Sequence, residues 1–211
     1  MTELITVNEH SSIRIGGDRV IYCDPFRIRA AAHDADIILI THEHYDHFSP
    51  EDIARVRRSD TRFVLPESMK GCIGKAGIAP ENVCFLKPGG SAEVLGVKIE
   101  AVAAYNVLKP FHPKHKDWLG YIVNTAGSRV YICGDTDDTK EARAVSCDVV
   151  LLPIGGTYTM NAKNAAALAN ALAPVTAVPV HYGTVAGKPE DADEFERNVT
   201  SGVKVVRKLS F

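Results

Sequence analysis

The stretch from Ile40 to Ile53 reads ITHEHYDHFSPEDI and crowds three histidines and two acids into His42 to His47. The run that leads into it, Ala35 to Ile40 (ADIILI), is wholly apolar and suits a strand buried on both faces. Ser49-Pro50-Glu51-Asp52 then starts a helix. Ser49 can cap it, Pro50 fits the first helical position, and the acids favour the positive end of its dipole. On an extended backbone His42, His44 and Asp46 would point to one side, and His47 follows where the chain bends. Packed without a metal, these groups would repel when protonated and leave polar atoms unpaired. A divalent ion resolves this, because neutral imidazole and carboxylate are ordinary zinc ligands. A His-rich surface loop is the bland alternative, and the position between a buried strand and a capped helix argues against it.

One segment cannot complete two metal sites, so partners are expected downstream. Asp135 sits in CGDTDD just after a strand, where a loop can present it, although GDTDD is also a good turn sequence. His181 closes the apolar run TAVPV and precedes Tyr182-Gly183. Alone it would read as a strand-end histidine; beside a cluster it reads as a ligand.

Around this frame, Ile13 and Ile15, the turn Gly16-Gly17-Asp18 and the return RVIYCD predict a hairpin. Further strands are expected at 61–65, 82–86, 94–104, 119–125, 129–133, 148–153, 175–180 and 203–208, and helices at 66–76, 161–172 and 190–199. RVIYCD (Arg19 to Asp24) is echoed by RVYICGD (Arg129 to Asp135), and each is followed by an acid and an apolar run, at Asp36 and Asp148. Self-similarity at half the chain length suggests two related β-rich halves. No linker marks a boundary, so residues 1–211 read as one domain.

Composition excludes several classes. The chain has 211 residues, 45% hydrophobic and 24% charged, with a net charge of −2. That gives no basic field for nucleic acid or an anionic membrane, so neither is an expected partner. The cysteines are odd in number and form no CxxC pair, which reads as reduced thiols in the cytoplasm. MTELITVNEH shows no basic n-region or apolar h-region, so no secretory signal is expected. Oligomeric state is not legible.

HxHxDH, then GDT, then PVHYG, in that order, resembles the metallo-β-lactamase superfamily of metal-dependent hydrolases. THEHYDHFSPEDI, GDTD, LLPIGGTYTM and PVHYG resemble its branch that includes ascorbate-6-phosphate lactonase. The resemblance implies an α+β fold, a four-layer αββα sandwich of two β-rich halves with a site at the open edge between the sheets. It implies a first metal on His42 and His44, a second on Asp46, His47 and His181, and Asp135 bridging them. Glu43 would point away. Most members supply a third histidine to the first metal, where this chain has Tyr105 or Asn106. His112 is the expected substitute, swinging in from the loop after Phe111, with His115 the other candidate; Asn106 would then be dispensable.

The implied chemistry is a metal-bound hydroxide attacking a small ester, lactone or phosphorylated metabolite, with Asp46 orienting the water. One or two divalent ions are expected, zinc first, with manganese, iron or nickel also compatible with His and Asp donors. Thr157, Tyr158, Lys109 and Lys114 are candidate substrate contacts, the lysines for an anionic substrate. His10, Asp24 and Asp36 are candidate supports around the metals, and Trp118 a packing residue. Two other readings compete: a phosphodiesterase, and a metal-binding protein with a degenerate, weakly active site.

Overall fold

The computed structural model describes residues 1–200 and 202–211. The first half forms β1 (Ile5–Val7), β2 (Ile13–Ile15), β3 (Ile21–Cys23), β4 (Ala35–Leu39), α1 (Pro50–Val56), β5 (Arg57–Pro66) and β6 (Val83–Leu86). Its strands lie in sequence order in one sheet. The second half forms β7 (Ser91–Val94), β8 (Val97–Ala103), β9 (Leu119–Thr125), β10 (Ser128–Ile132), α2 (Lys140–Arg143), β11 (Val149–Pro153), α3 (Ala162–Leu172), β12 (Thr176–Val180), α4 (Asp191–Asn198) and β13 (Lys204–Val205). These strands make a second sheet, from β13 at one edge to β7 at the other.

The layers follow from which face of each strand is apolar. Ile13, Ile37 and Val64 of the first sheet meet Ile99, Tyr121, Leu151 and Val178 of the second in a shared inner core. Ile53 and Val56 of α1 pack on Ile38, Ile40 and Phe63 on the outer face of the first sheet. Ala165, Leu168 and Ala169 of α3, with Phe195 of α4, pack on Tyr131, Val150 and Leu152 outside the second. The result is the mixed two-sheet sandwich that the motifs imply. Strands β4, β11 and β12 are buried along their whole length, as apolar runs covered on both faces must be.

The internal echo is structural. Val20 N donates to Asp36 Oδ2 at 2.7 Å while Asp36 N donates to Val20 O at 2.9 Å. Arg129 N and Asp148 Oδ2 repeat the clasp at 2.8 Å, with Asp148 N on Arg129 O at 2.9 Å. Each clasp fixes the register of a parallel pair, β3 with β4 and β10 with β11. Asp36 is thus a structural aspartate.

Three element readings need correction. Residues 66–76 form only 3-10 turns, Glu67–Met69 and Ile73–Ala76, because Gly71 and Gly74 weaken a helix there and no side chain caps it. The expected strand 94–104 is β8, which starts only at Val97; Val94 ends the preceding strand β7, and the hairpin turns at Leu95-Gly96 with φ of 50° and 81°. The strand expected at 203–208 shrinks to two residues, and β1 joins the expected hairpin as a third strand. The cap on α1 is as read: Ser49 accepts from Asp52 N. Among the described residues, no helix is long and apolar enough to cross a membrane.

Candidate metal centre

Several chain segments meet where the two sheets are tied together. Tyr121 Oη of the second sheet donates to Ile40 O at 2.7 Å, and Leu119 N donates to Thr41 O at 3.1 Å. Gly134, left-handed at φ 65°, is required here, since a Cβ would sit 2.9 Å from Leu119 O and 3.2 Å from Thr41 Cβ. Asp135 follows directly and is buried.

The motif after β4 is not extended. His44 to His47 turn, with His47 N and Phe48 N both donating to His44 O at 3.0 and 2.8 Å. Convergence therefore comes from a turn rather than from strand alternation. His42 Nε2 lies 3.0 Å from His44 Nδ1, and His42, His44 and His112 form one group of potential donors. His42, His47 and Asp135 form a second group, and His10, Asp46, His47 and His181 a third. Asp135 is central: its Oδ2 is 3.2 Å from His112 Nε2 and 3.0 Å from His181 Nε2, and its Oδ1 is 3.3 Å from His47 Nε2.

The structure thus brings together His42, His44, Asp46, His47, Asp135, His181 and His112. His115 is exposed instead. His112 is buried, and Asn106 Oδ1 accepts from its backbone N–H at 3.1 Å and lies 3.1 Å from its Nδ1. Asp24 accepts from Thr41 N at 2.8 Å and Thr41 Oγ1 at 2.6 Å, and its Oδ2 is 2.7 Å from His47 Nδ1. Glu43 points away, to Lys116 at 3.2 Å. Trp118 packs its ring on those of His42 and His44, each at 4.9 Å.

Electrostatics act on the donors in both directions. Burial pushes the imidazole pKa of His42 well below its ordinary value, lowers that of His44, and takes His10 down to about 4. Burial would raise the Asp46 carboxyl, but neighbouring His10 and His47 outweigh it and bring it to about 2. Burial likewise opposes ionisation of Asp135 and His47, yet His181 and His47 hold the Asp135 carboxyl well below the ordinary range, and Asp135 and Asp24 hold His47 well above it.

The donor set fits a divalent metal. Among the described residues, the buried side-chain nitrogens and oxygens without a hydrogen-bond partner are, apart from Trp118 Nε1 and Tyr131 Oη, all in this cluster: both nitrogens of His10 and of His181, Nε2 of His47 and of His112, and Asp135 Oδ1. Orphaned polar atoms are costly, and imidazole and carboxylate lone pairs converging this closely are what a cation satisfies.

A cavity of about 340 Å³ opens over His44, Asp46, His112, Asp135 and His181. Its other lining residues are Tyr45, Phe111, Tyr158 and Val185. Lys109, Lys114 and Thr157 are not among them. Lys109 Nζ is held by Asp137 at 2.5 Å and Thr159 O at 2.6 Å, and Lys114 Nζ by Glu141 at 2.8 Å. Local acids thus claim the basic loop, and of the four expected substrate contacts only Tyr158 faces the cavity.

Residues 4–181 match the family model described as the beta-lactamase superfamily domain. The chain belongs to the metallo-β-lactamase superfamily. It is 34% identical to a UPF0173 metal-dependent hydrolase of Pyrococcus abyssi, over 93% of this chain and 92% of that one. A solved structure from Parabacteroides distasonis, described as a candidate metal-dependent hydrolase, superposes with a TM-score of 0.80 at 35% identity, covering 98% of this chain and 93% of the other. Igni18, a novel metallo hydrolase from Ignicoccus hospitalis, gives 0.73 at 25% identity, covering 98% and 95%.

Within this superfamily member, sequence reasoning left the roles of three residues open or misjudged. Asn106, expected to be dispensable, hydrogen-bonds His112. Asp24 fixes His47, which its place after β3, matching Asp135 after β10, could have signalled. His10 reaches Asp46 from the β1–β2 turn, a contact across the chain with no local signature.

Proposed function

We propose that this chain is a metal-dependent hydrolase of a small, uncharged ester or lactone. The carrying observation is a donor cluster opening on a cavity whose other walls are aromatic or aliphatic, with no lysine or arginine among the described lining residues. His42, His44, His112 and Asp135 would hold one ion; Asp46, His47, His181 and Asp135 would hold the other. A divalent ion in such a site acidifies water and polarises a carbonyl. Zinc suits these donors, as do manganese, iron and nickel. Asp46 lines the cavity and is the carboxylate assigned to orient the attacking water. Tyr45, Phe111, Tyr158 and Val185 take the apolar flank of the substrate, the usual way a pocket of this size holds a small molecule. The grouping of buried His112 with His42 and His44 supports a complete first position over a degenerate one.

A phosphorylated lactone, which the motif likeness alone favours, would carry its phosphate, beyond the carbonyl at the metals, against described walls that hold no lysine or arginine. The names of the relatives support metal-dependent hydrolysis and leave the substrate open. The test is a kcat/KM panel on metal-reloaded protein: neutral aryl and alkyl esters and lactones against phosphorylated lactones, phosphomonoesters and phosphodiesters. Neutral acyl substrates are expected to lead by at least about tenfold, equivalent to roughly 1.4 kcal/mol. A lead by any phosphorylated substrate overturns the assignment, and equal activity after chelation overturns the metal dependence.

A further inference from the structure

We propose that His10 Nε2 is a further protein ligand of the second metal position, joining Asp46, His47, His181 and the shared Asp135. This rests on the reading that the cluster holds metal.

The first observation is convergence. His10 is fully buried, and its Nε2 is 3.2 Å from Asp46 Oδ2. Nε2 of His47 and of His181 lie 3.6 and 3.9 Å from the same oxygen. One donor atom from each of the four residues falls within 4.8 Å of every other. Tetrahedral ligands on bonds of about 2.0–2.1 Å stand about 3.3 Å apart, so the four need only small movements.

The second observation is that, among the described residues, His10 has no hydrogen-bond partner outside the cluster. Despite its distance to Asp46, Nε2 is too poorly aligned to hydrogen-bond, and Nδ1 is orphaned too among the described residues. A purely structural buried histidine would find partners for both nitrogens.

The third is backbone strain placed to aim the ring. His10 and His181 are left-handed at φ 54° and 57°, which few non-glycine residues adopt. His181 N donates to His10 O at 3.0 Å, and the rings stand 3.7 Å apart. Each turn thus holds the other's imidazole against the cluster.

His10 would give the second position one protein donor more than the first, whose donors are three histidines and the shared carboxylate. The second position should therefore bind more tightly and fill first.

The left-handed backbone dictates the variants. His10→Gly and His10→Asn keep that conformation without strain, so loss of fold does not confuse the result. Competition of the metal-free protein with a chromophoric chelator, with zinc and then cobalt(II), reads affinity and coordination directly. For the wild type, two ions of unequal affinity are expected. In both variants the tighter ion should weaken by tenfold or more and the looser by less than threefold. The cobalt(II) visible band of the first equivalent should shift and weaken, and added imidazole should restore it in His10→Gly. Unchanged affinity and cobalt spectrum in both variants would overturn the inference while leaving the metal reading intact. No stoichiometric metal binding by the wild type would overturn both.

Discussion

Asn106 and His112 form a closed pair: the Asn106 amide oxygen meets both the backbone N–H and Nδ1 of His112, while Asn106 Nδ2 donates to Tyr158 O at 3.0 Å. Asn106 N also donates to His112 O at 2.7 Å. The asparagine that stands where a ligand is expected instead holds the histidine proposed to replace it. His112→Ala should abolish tight binding at the first position. Asn106→Ala should weaken it by about 10–100-fold, the usual cost of losing a partner that orients a ligand. Chelator competition measures both, and an unchanged first-site affinity in Asn106→Ala would show that Pro110 and Pro113 alone fix the loop.

Asp24 plays the corresponding part for His47. For Nε2 to face an ion, Nδ1 must carry the proton, and Asp24 Oδ2 at 2.7 Å receives it. Asp24→Asn can satisfy Thr41 but presents an amide where a charged acceptor stood. We expect metal affinity to fall about 10–100-fold with the far-ultraviolet circular dichroism retained. Affinity within twofold of wild type would refute the orienting role.

What the sequence revealed follows from range. Apolar runs such as ADIILI and cap signals such as SPED are local, and β4 and α1 stand where they predict. The motif residues were legible because one segment carries most of them. What was missed depends on contacts between distant segments. His10 reaches Asp46 through a left-handed turn, and Asn106 finds its role only once the 107–111 loop has folded back. Lys109 and Lys114 looked free because Asp137 and Glu141, their partners, lie far along the chain. Gly71 and Gly74 disfavour the helix expected at 66–76, which forms only 3-10 turns.

Removing metal should lower Tm without unfolding the chain at room temperature. The inner core between the sheets contains no cluster residue. An ion present at 100 times its Kd stabilises by about 2.7 kcal/mol, which for a chain of this size is about 5–10 °C. Thermal denaturation with and without chelator measures it. Complete unfolding at 25 °C on chelation would mean that the core does not stand alone.

Gly155→Ala should damage the site from outside it. A Cβ there would lie 2.3 Å from His181 O, so the backbone that presents His181 must move. We expect a loss of about 1–3 kcal/mol, as for overpacking, together with reduced metal content. Gly74→Ala, with nothing within 4 Å of its added carbon, is the control. Equal denaturation midpoints for the two variants would contradict the close approach.

Phe111 and Lys114 separate the two accounts of substrate binding. Phe111 lines the cavity and packs edge-on against Tyr158 with ring centroids 4.8 Å apart. Phe111→Ala removes an apolar wall from the substrate's flank and should lower kcat/KM for a neutral ester by about tenfold or more. The loss should appear mainly in KM, because the wall contacts the substrate's flank and not the reacting carbonyl. Phe111 adjoins His112, so metal content must be measured beside the kinetics; a drop in kcat with lost metal would instead mean a disturbed ligand. Lys114 is already paired with Glu141 and lies outside the lining, and Lys114→Ala should change kcat/KM less than twofold on every substrate. If Lys114→Ala selectively lowers turnover of a phosphorylated substrate while Phe111→Ala with full metal leaves neutral esters untouched, the cavity has been assigned the wrong chemistry. The basic loop would then carry the binding that the aromatic walls were given.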